Sequence, residues 1–259
     1  MRRHLFGIIL VLAQIGFAPA VFAQGEGTAV GVNPDAVARV RSQERILQVG
    51  TDVSVGETIV TGPAGQVQVV FDDDTRLVVG PGSSLKVETY LLASSNTAQR
   101  LTINALGGSF RFITGNSPKP AYSIHTPTAA IAVRGTEFDL VVERRSTRVM
   151  LYKGAVQICN SGGACEILTE RCEIGVAAPQ QVALLGASEP QRAALSLDFR
   201  YARFQSSLMN GFRVGGAGNC IGTPQSSNSL ESLSTMDGGG PSSQTRQQSP
   251  NGSNGQTSP

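Results

Sequence analysis

The sequence predicts an all-β domain, a β-sandwich or a β-roll resembling a double-stranded β-helix, followed by a C-terminal amphipathic helix and a disordered tail. Three observations predict it. Short segments rich in Val, Ile and Thr recur between turn residues over most of the chain. A helical apolar period appears only after Pro179. The last stretch is almost entirely Ser, Gly, Gln, Asn and Pro, which cannot bury enough apolar surface to order itself. At 259 residues the chain has room for one or two domains.

Residues 1–23 read as a cleavable export leader. Arg2 and Arg3 are followed by the apolar run LFGIILVLAQIGFA, and Val21 and Ala23 suit a signal peptidase cutting after Ala23. Gln24 follows with no Cys nearby, so no lipid anchor is expected. No later apolar run is long enough to cross a bilayer, so no stable membrane span is expected in the mature chain. The expected location is periplasmic or secreted. Of 21 basic residues, Arg2 and Arg3 leave with the leader, and 19 remain against 19 acidic residues. A neutral mature chain gives no electrostatic reason to expect a nucleic-acid partner.

The β-domain is expected over residues 37–185, after a small, polar lead-in at 24–38. ARVRSQERILQVGTDVSVGETIVTG places Ile46, Val49, Val53 and Val55 between turn signals. QVQVVF alternates Val67, Val69 and Phe71 on one face, and Asp72–Asp74 turn the chain back through Leu77 and Val79 as a hairpin. LKVETYL is a strand, SSNTAQ a loop, LTINALGGSFRFI two strands around Gly107-Gly108, and GNSPKP a polar turn. RVMLYKGAVQIC is a further strand. From Glu189 to about residue 210, Ala194, Leu197, Tyr201, Phe204 and Leu208 share one helical face, with Arg192, Arg200 and Arg203 elsewhere. The helical extension is bounded at 186–220 and the tail at 221–259.

The segment TPTAAIAVRGTEFDLVV contains a change of register. Ile131 and Val133 are odd-numbered, whereas Phe138, Leu140 and Val142 are even. One face of a straight strand keeps one parity, so an extra residue is required, and Gly135 is the natural place for a bulge. Glu137 and Asp139 are then expected to point away from the core. Arg134 is expected to be aimed at a nearby carbonyl or carboxylate, and the Thr136 hydroxyl to bond the backbone.

The same residues carry a resemblance. Thr126-Pro127, the small apolar residues, Val133-Arg134-Gly135-Thr136 and the strand containing Phe138 resemble the hallmark of the FecR family. The upstream run LQVGTDVSVGETIVTGPAGQVQVVFDDDTRLVVGPGSSLKVE is similar to that family's usual pattern, with Asp74 where the family often has Gly. The likeness spans roughly residues 45–160. It implies a periplasmic β-domain of the sensing type, without catalytic residues or a cofactor. FecR proteins pass a signal from an outer-membrane receptor through a membrane helix to a cytoplasmic sigma factor. No cytoplasmic segment is expected before the apolar run, which reads as cleavable, so the sigma-factor step is not expected to carry over. The expected partner is an envelope protein, and the expected role is protein binding in envelope signal transduction. An alternative is a structural or adhesive surface protein using the same domain with a flexible tail.

Other chemistry finds little support in the residues. His125 is the only histidine after the leader, and no GxSxG elbow surrounds a serine. Asp72–Asp74 lack calcium-loop spacing and read as a solvated hairpin tip. Arg144, Arg145 and Arg148 are diluted by Glu143 and read as a polar turn rather than an anion patch. The four cysteines, Cys159, Cys165, Cys172 and Cys220, lack a CxxC pair and suggest two disulfides in an exported chain. Three pairings exist. Cys159–Cys165 around NSGGA, with Cys172–Cys220, is favoured, because Cys165 and Cys172 face opposite sides of a straight segment.

Overall fold

The computed structural model describes residues 26–186 and 189–222. The predicted leader at 1–23 and most of the predicted tail at 221–259 lie outside the described residues. Fifteen strands are described: β1 (Gly27–Asn33), β2 (Ala36–Val40), β3 (Gln43–Ile46), β4 (Asp52–Val53), β5 (Thr58–Thr61), β6 (Gln66–Phe71), β7 (Arg76–Val79), β8 (Ser84–Ser94), β9 (Thr97–Ile113), β10 (Tyr122–His125), β11 (Ala129–Val142), β12 (Thr147–Asn160), β13 (Cys165–Leu168), β14 (Ile174–Ala178) and β15 (Gln181–Leu185). All belong to one hydrogen-bonded sheet. Its main path runs β15-β14-β12-β11-β10-β9-β7-β6-β1-β4, with β13, β8, β5, β2 and β3 branching from it. The fold is therefore all-β, built on a single sheet.

One sheet encloses one core because its longest strands change the face they turn inward. In β9 the core residues are Leu101, Ile103 and Ala105, then Phe110 and Phe112. In β11 they are Ile131 and Val133, then Phe138, Leu140 and Val142; in β12, Val149 and Leu151, then Val156 and Ile158. Each switch of parity contains a glycine with left-handed φ: Gly108 at 109°, Gly135 at 69° and Gly154 at 85°. Only a residue without a Cβ takes that conformation at little cost.

Several expectations are corrected. The lead-in at 24–38 holds a strand: β1 pairs with β6 and β4, and Ala29 is fully buried. Its alternation is muted in sequence by Gly27 and Gly31. Of Ile46, Val49, Val53 and Val55, only Val53 enters the core. Ile46, Val49 and Val55 are exposed, and Leu47 is buried in their place. SSNTAQ is not an open loop, because Ser94 already pairs with Thr97 across a two-residue turn. LTINALGGSFRFI is one strand bent at Gly108, not two.

The predicted long helix is two short ones, α1 (Pro190–Ser196) and α2 (Arg200–Arg203), separated by Phe199 at φ −81° and ψ 86°. The buried residues are accordingly not one helical stripe. Phe199, Tyr201, Ala202 and Leu208 are buried, Phe204 is exposed, and Arg192 is buried rather than solvated. Arg192 donates from Nε to the Cys172 carbonyl and from Nη2 to the Cys220 carbonyl. These helices are too short to hold themselves. They are held by packing on the outer face of the sheet, against Met150, Tyr152 and Ile174, and by the Cys172–Cys220 disulfide. Ile221 and Gly222, assigned to the tail, are part of this layer: Ile221 packs there and the Gly222 N–H donates to Ser196 Oγ. A second disulfide, Cys159–Cys165, closes the hairpin of β12 and β13 between directly paired residues.

Candidate binding site

β11 changes neighbours within a few residues of Arg134. Up to Ala132 it pairs with β10; from Glu137 onward it pairs with β9. On its other side it stays with β12, where the register shifts between Arg134 and Glu137 and shifts back between Glu137 and Phe138. The bulge expected at Gly135 is thus answered by a second irregularity on β12, and the overall register is preserved. Thr114 fills the seam. Its Oγ1 accepts the Thr136 N–H at 2.9 Å, and its N–H donates to the Thr136 carbonyl at 3.0 Å. The Thr136 hydroxyl, expected to bond the backbone, is instead buried without a partner among the described residues. The backbone of Thr136, not its side chain, makes the contacts.

A surface hollow of about 630 Å³ opens where β10 begins, lined by Pro120, Tyr122, Ala132, Val133 and Arg134. Tyr122 and Val133 are buried and form its floor, while Pro120, Ala132 and Arg134 stand exposed around it. The expectation that Arg134 meets a nearby acceptor is not met: among the described residues no carboxylate or carbonyl bonds its guanidinium. Glu137 lies instead 3.8 Å from Lys153. The strand turns Arg134 outward because Val133 faces the core and adjacent side chains alternate.

The floor is fixed from below by a buried carboxylate. Asp73, expected at a solvated hairpin tip, is fully buried. Its Oδ2 accepts from Tyr122 Oη at 2.9 Å and Ser117 Oγ at 2.5 Å, and its Oδ1 accepts the Thr75 N–H at 3.1 Å. Its own N–H donates to Tyr90 Oη at 3.0 Å. Desolvation raises the Tyr122 phenol pKa, so the ring stays neutral and donating. The neighbouring Asp74 has φ 66°, which explains why glycine suits this position.

The family-motif residues do not converge on one site. Thr126 Oγ1 caps the turn between β10 and β11, accepting the Ala129 N–H at 2.8 Å and lying 2.7 Å from Thr147 Oγ1. Pro127 borders a separate groove with Leu106, Gly107 and Arg144. Phe138 is a fully buried core ring. His125 is exposed, with Nε2 3.1 Å from Ser123 Oγ. Of the three arginines read as a polar turn, Arg144 and Arg145 are exposed, but Arg148 is buried between Glu143 and Asp198.

Sequence reasoning missed one buried pair. Asp139, expected to point away from the core, does so, yet it is buried under the C-terminal layer. Its Oδ1 accepts from Arg111 Nε at 2.6 Å and its Oδ2 from Arg111 Nη2 at 2.9 Å and Tyr152 Oη at 2.7 Å. Burial alone lowers the Arg111 pKa, but the Asp139 charge and hydrogen bonds reverse this, and the net shift is upward. Arg111 also bonds Gln205 and stands against the Tyr152 and Tyr201 rings. A lone Arg between Phe110 and Phe112, with a lone Asp between Phe138 and Leu140, was the available signal.

Residues 57–157 match the family model described as FecR protein. They run from the start of β5 into β12 and include the hollow, so the chain carries a FecR domain there. No curated protein matches the chain. Among solved structures, a candidate anti-sigma factor from Parabacteroides distasonis, solved at 1.65 Å and again at 2.50 Å, is similar at 15% identity and a TM-score of 0.40. The alignment covers 54% of this chain and 63% of that one for the first structure, and 54% and 62% for the second. The chain therefore spans less than two thirds of the length of those proteins.

Proposed function

We propose that this chain is an exported, non-enzymatic FecR-domain protein that binds a protein partner in the cell envelope and serves as a sensing module in signal transduction. The observation that carries this reading is the match of residues 57–157 to FecR, which supports a regulatory module of signal transduction. Two disulfides suit an oxidising compartment, where such bonds form and persist. The hollow beside Arg134 supplies an apolar, concave surface of the kind that seats a partner's side chain.

The test places a photo-crosslinking residue at Ala132 in the full-length protein inside cells. The expected result is a specific adduct with one envelope protein whose deletion changes a transcriptional response. No adduct at Ala132 or at the exposed Leu106 overturns the binding reading. Sequencing the N-terminus of the recovered protein tests export: Gln24 is expected first, and an intact Met1 overturns it.

A further inference from the structure

We infer that the hollow beside Arg134 recognises an acidic side chain flanked by an apolar one, on a segment of the partner protein that passes over the surface. This rests on the protein-binding reading and specifies its chemistry. Three features of the site carry it.

The first is an unspent charge. Arg134 is exposed and has no acceptor among the described residues; Arg41, Arg100, Arg144 and Arg145 are likewise exposed, but of these only Arg134 lines this hollow, and other arginines of the domain are paired. Arg39 bonds Glu44, Arg45 bonds Glu57, Arg76 bonds Asp74, and Arg111 bonds Asp139. A guanidinium presents a rigid fork of donors that matches a carboxylate. The nearest acid along the strand, Glu137, faces Lys153.

The second is what lies beside that charge. Over the floor of Tyr122 and Val133 the hollow is bordered by Pro120 and Ala132, so an aliphatic side chain fits it, and about 630 Å³ is ample for one. The third is rigidity. Val133 is held in the core, Gly135 and Thr136 are pinned across the seam to Thr114, and Tyr122 is tied to Asp73. A site held in advance loses less ordering entropy on binding.

The carboxylate belongs to a side chain rather than to a chain end. Arg134 stands at the rim, where a carboxylate carried one or two methylenes off the main chain meets it while the chain continues past. A C-terminus would enter the hollow end-on, toward described lining groups that are mostly apolar, with the Tyr122 hydroxyl already given to Asp73.

The experiment uses the full-length, isotopically labelled protein and four short capped peptides. Ac-Val-Glu-Val-NH2 is compared with Ac-Val-Gln-Val-NH2, with Ac-Val-Val-NH2, and with Ac-Val-Val bearing a free C-terminal carboxylate. Binding is read from the Val133 methyl and Arg134 Nε–Hε resonances, up to about 10 mM peptide, the weak range expected for so few contacts. The Glu peptide is expected to bind about fivefold more tightly than the Gln peptide, the upper end for an exposed ion pair. Arg134→Gln should abolish that preference while Arg134→Lys keeps part of it. The inference is overturned if Gln binds as well as Glu, if the preference survives in Arg134→Gln, if the free C-terminus is preferred, or if no peptide moves Val133. Any of these leaves the crosslinking result at Ala132 standing, so the two readings fail separately.

Discussion

Gly135 on β11 and Gly154 on β12 face each other across the sheet, both in left-handed conformation, and a Cβ on Gly154 would collide with the Gly135 carbonyl oxygen. Each strand needs its glycine to turn a new face inward, and Gly154 leaves room for the Gly135 backbone. The paired switch keeps Ile131 and Leu140 in the same core although their parity differs.

Gly154→Ala should therefore lower stability by about 2 kcal/mol or more, since the φ penalty of roughly 1–2 kcal/mol is joined by the clash. Gly50, at φ 86° with nothing near its would-be Cβ, is the control. Gly50→Ala should cost only the backbone penalty. Urea unfolding of both variants checks the order; equal losses would show that close approach adds nothing at Gly154.

The Arg111–Asp139 pair is buried on both sides and ties the sheet to the C-terminal layer. Removing one partner strands the other charge, and Asp139→Ala should cost about 3–5 kcal/mol. The double variant Arg111→Met/Asp139→Leu should lose much less than the two single losses added together. Denaturant midpoints in a double-mutant cycle measure this, and strict additivity would contradict it.

The four tyrosines of the chain, Tyr90, Tyr122, Tyr152 and Tyr201, all have phenol pKa values raised by burial above their usual 10.0. In Tyr152 and Tyr201 the Asp139 charge pushes the same way. A raised folded value means the native state keeps a proton that the unfolded chain has released. The associated stability is fully present below pH 10.0 and is lost as pH rises through the folded values. Tyrosinate absorbance should thus stay low near pH 10.0 and rise together with the loss of tertiary circular dichroism. A gradual titration centred at 10.0 in folded protein would refute this.

The two disulfides should differ in effect. Cys172–Cys220 spans 48 residues and Cys159–Cys165 spans six. The chain-entropy model gives about 4 kcal/mol for the first and about 2 kcal/mol for the second. Replacing each pair by serine and measuring thermal unfolding tests the order, and hydrogen exchange of residues 199–217 should rise mainly in the Cys172→Ser/Cys220→Ser variant.

Parts of the site were legible one residue at a time. The parity change between Val133 and Phe138 requires an irregularity, and glycine marks it. The same reading applies to Ala105 and Phe110 around Gly108, where the doubled glycine looked like a break between strands. Arg134's freedom was not legible, because whether a charge has a partner depends on strands distant in sequence. Asp73 shows the converse. Three consecutive aspartates look like a solvated tip, yet Tyr122 and Ser117, more than forty residues away, bury the middle one.

Strand periodicity, glycine placement and the ordered family motifs are local properties, and from them the amino-acid order alone determined an all-β FecR-type domain with a register change at Gly135. Tertiary structure decided which faces are covered twice. The C-terminal segment lies across the outer side of the sheet, so Gln66, Gln68, Arg111 and Asp139, polar residues on a face that reads as solvent-facing, are buried. It also decided that one long helix would break into two. A period of 3.6 assumes one straight axis against one apolar surface, and this segment instead crosses both apolar residues such as Met150 and Ile174 and buried polar ones such as Arg111 and Asp139, held there by Cys172–Cys220.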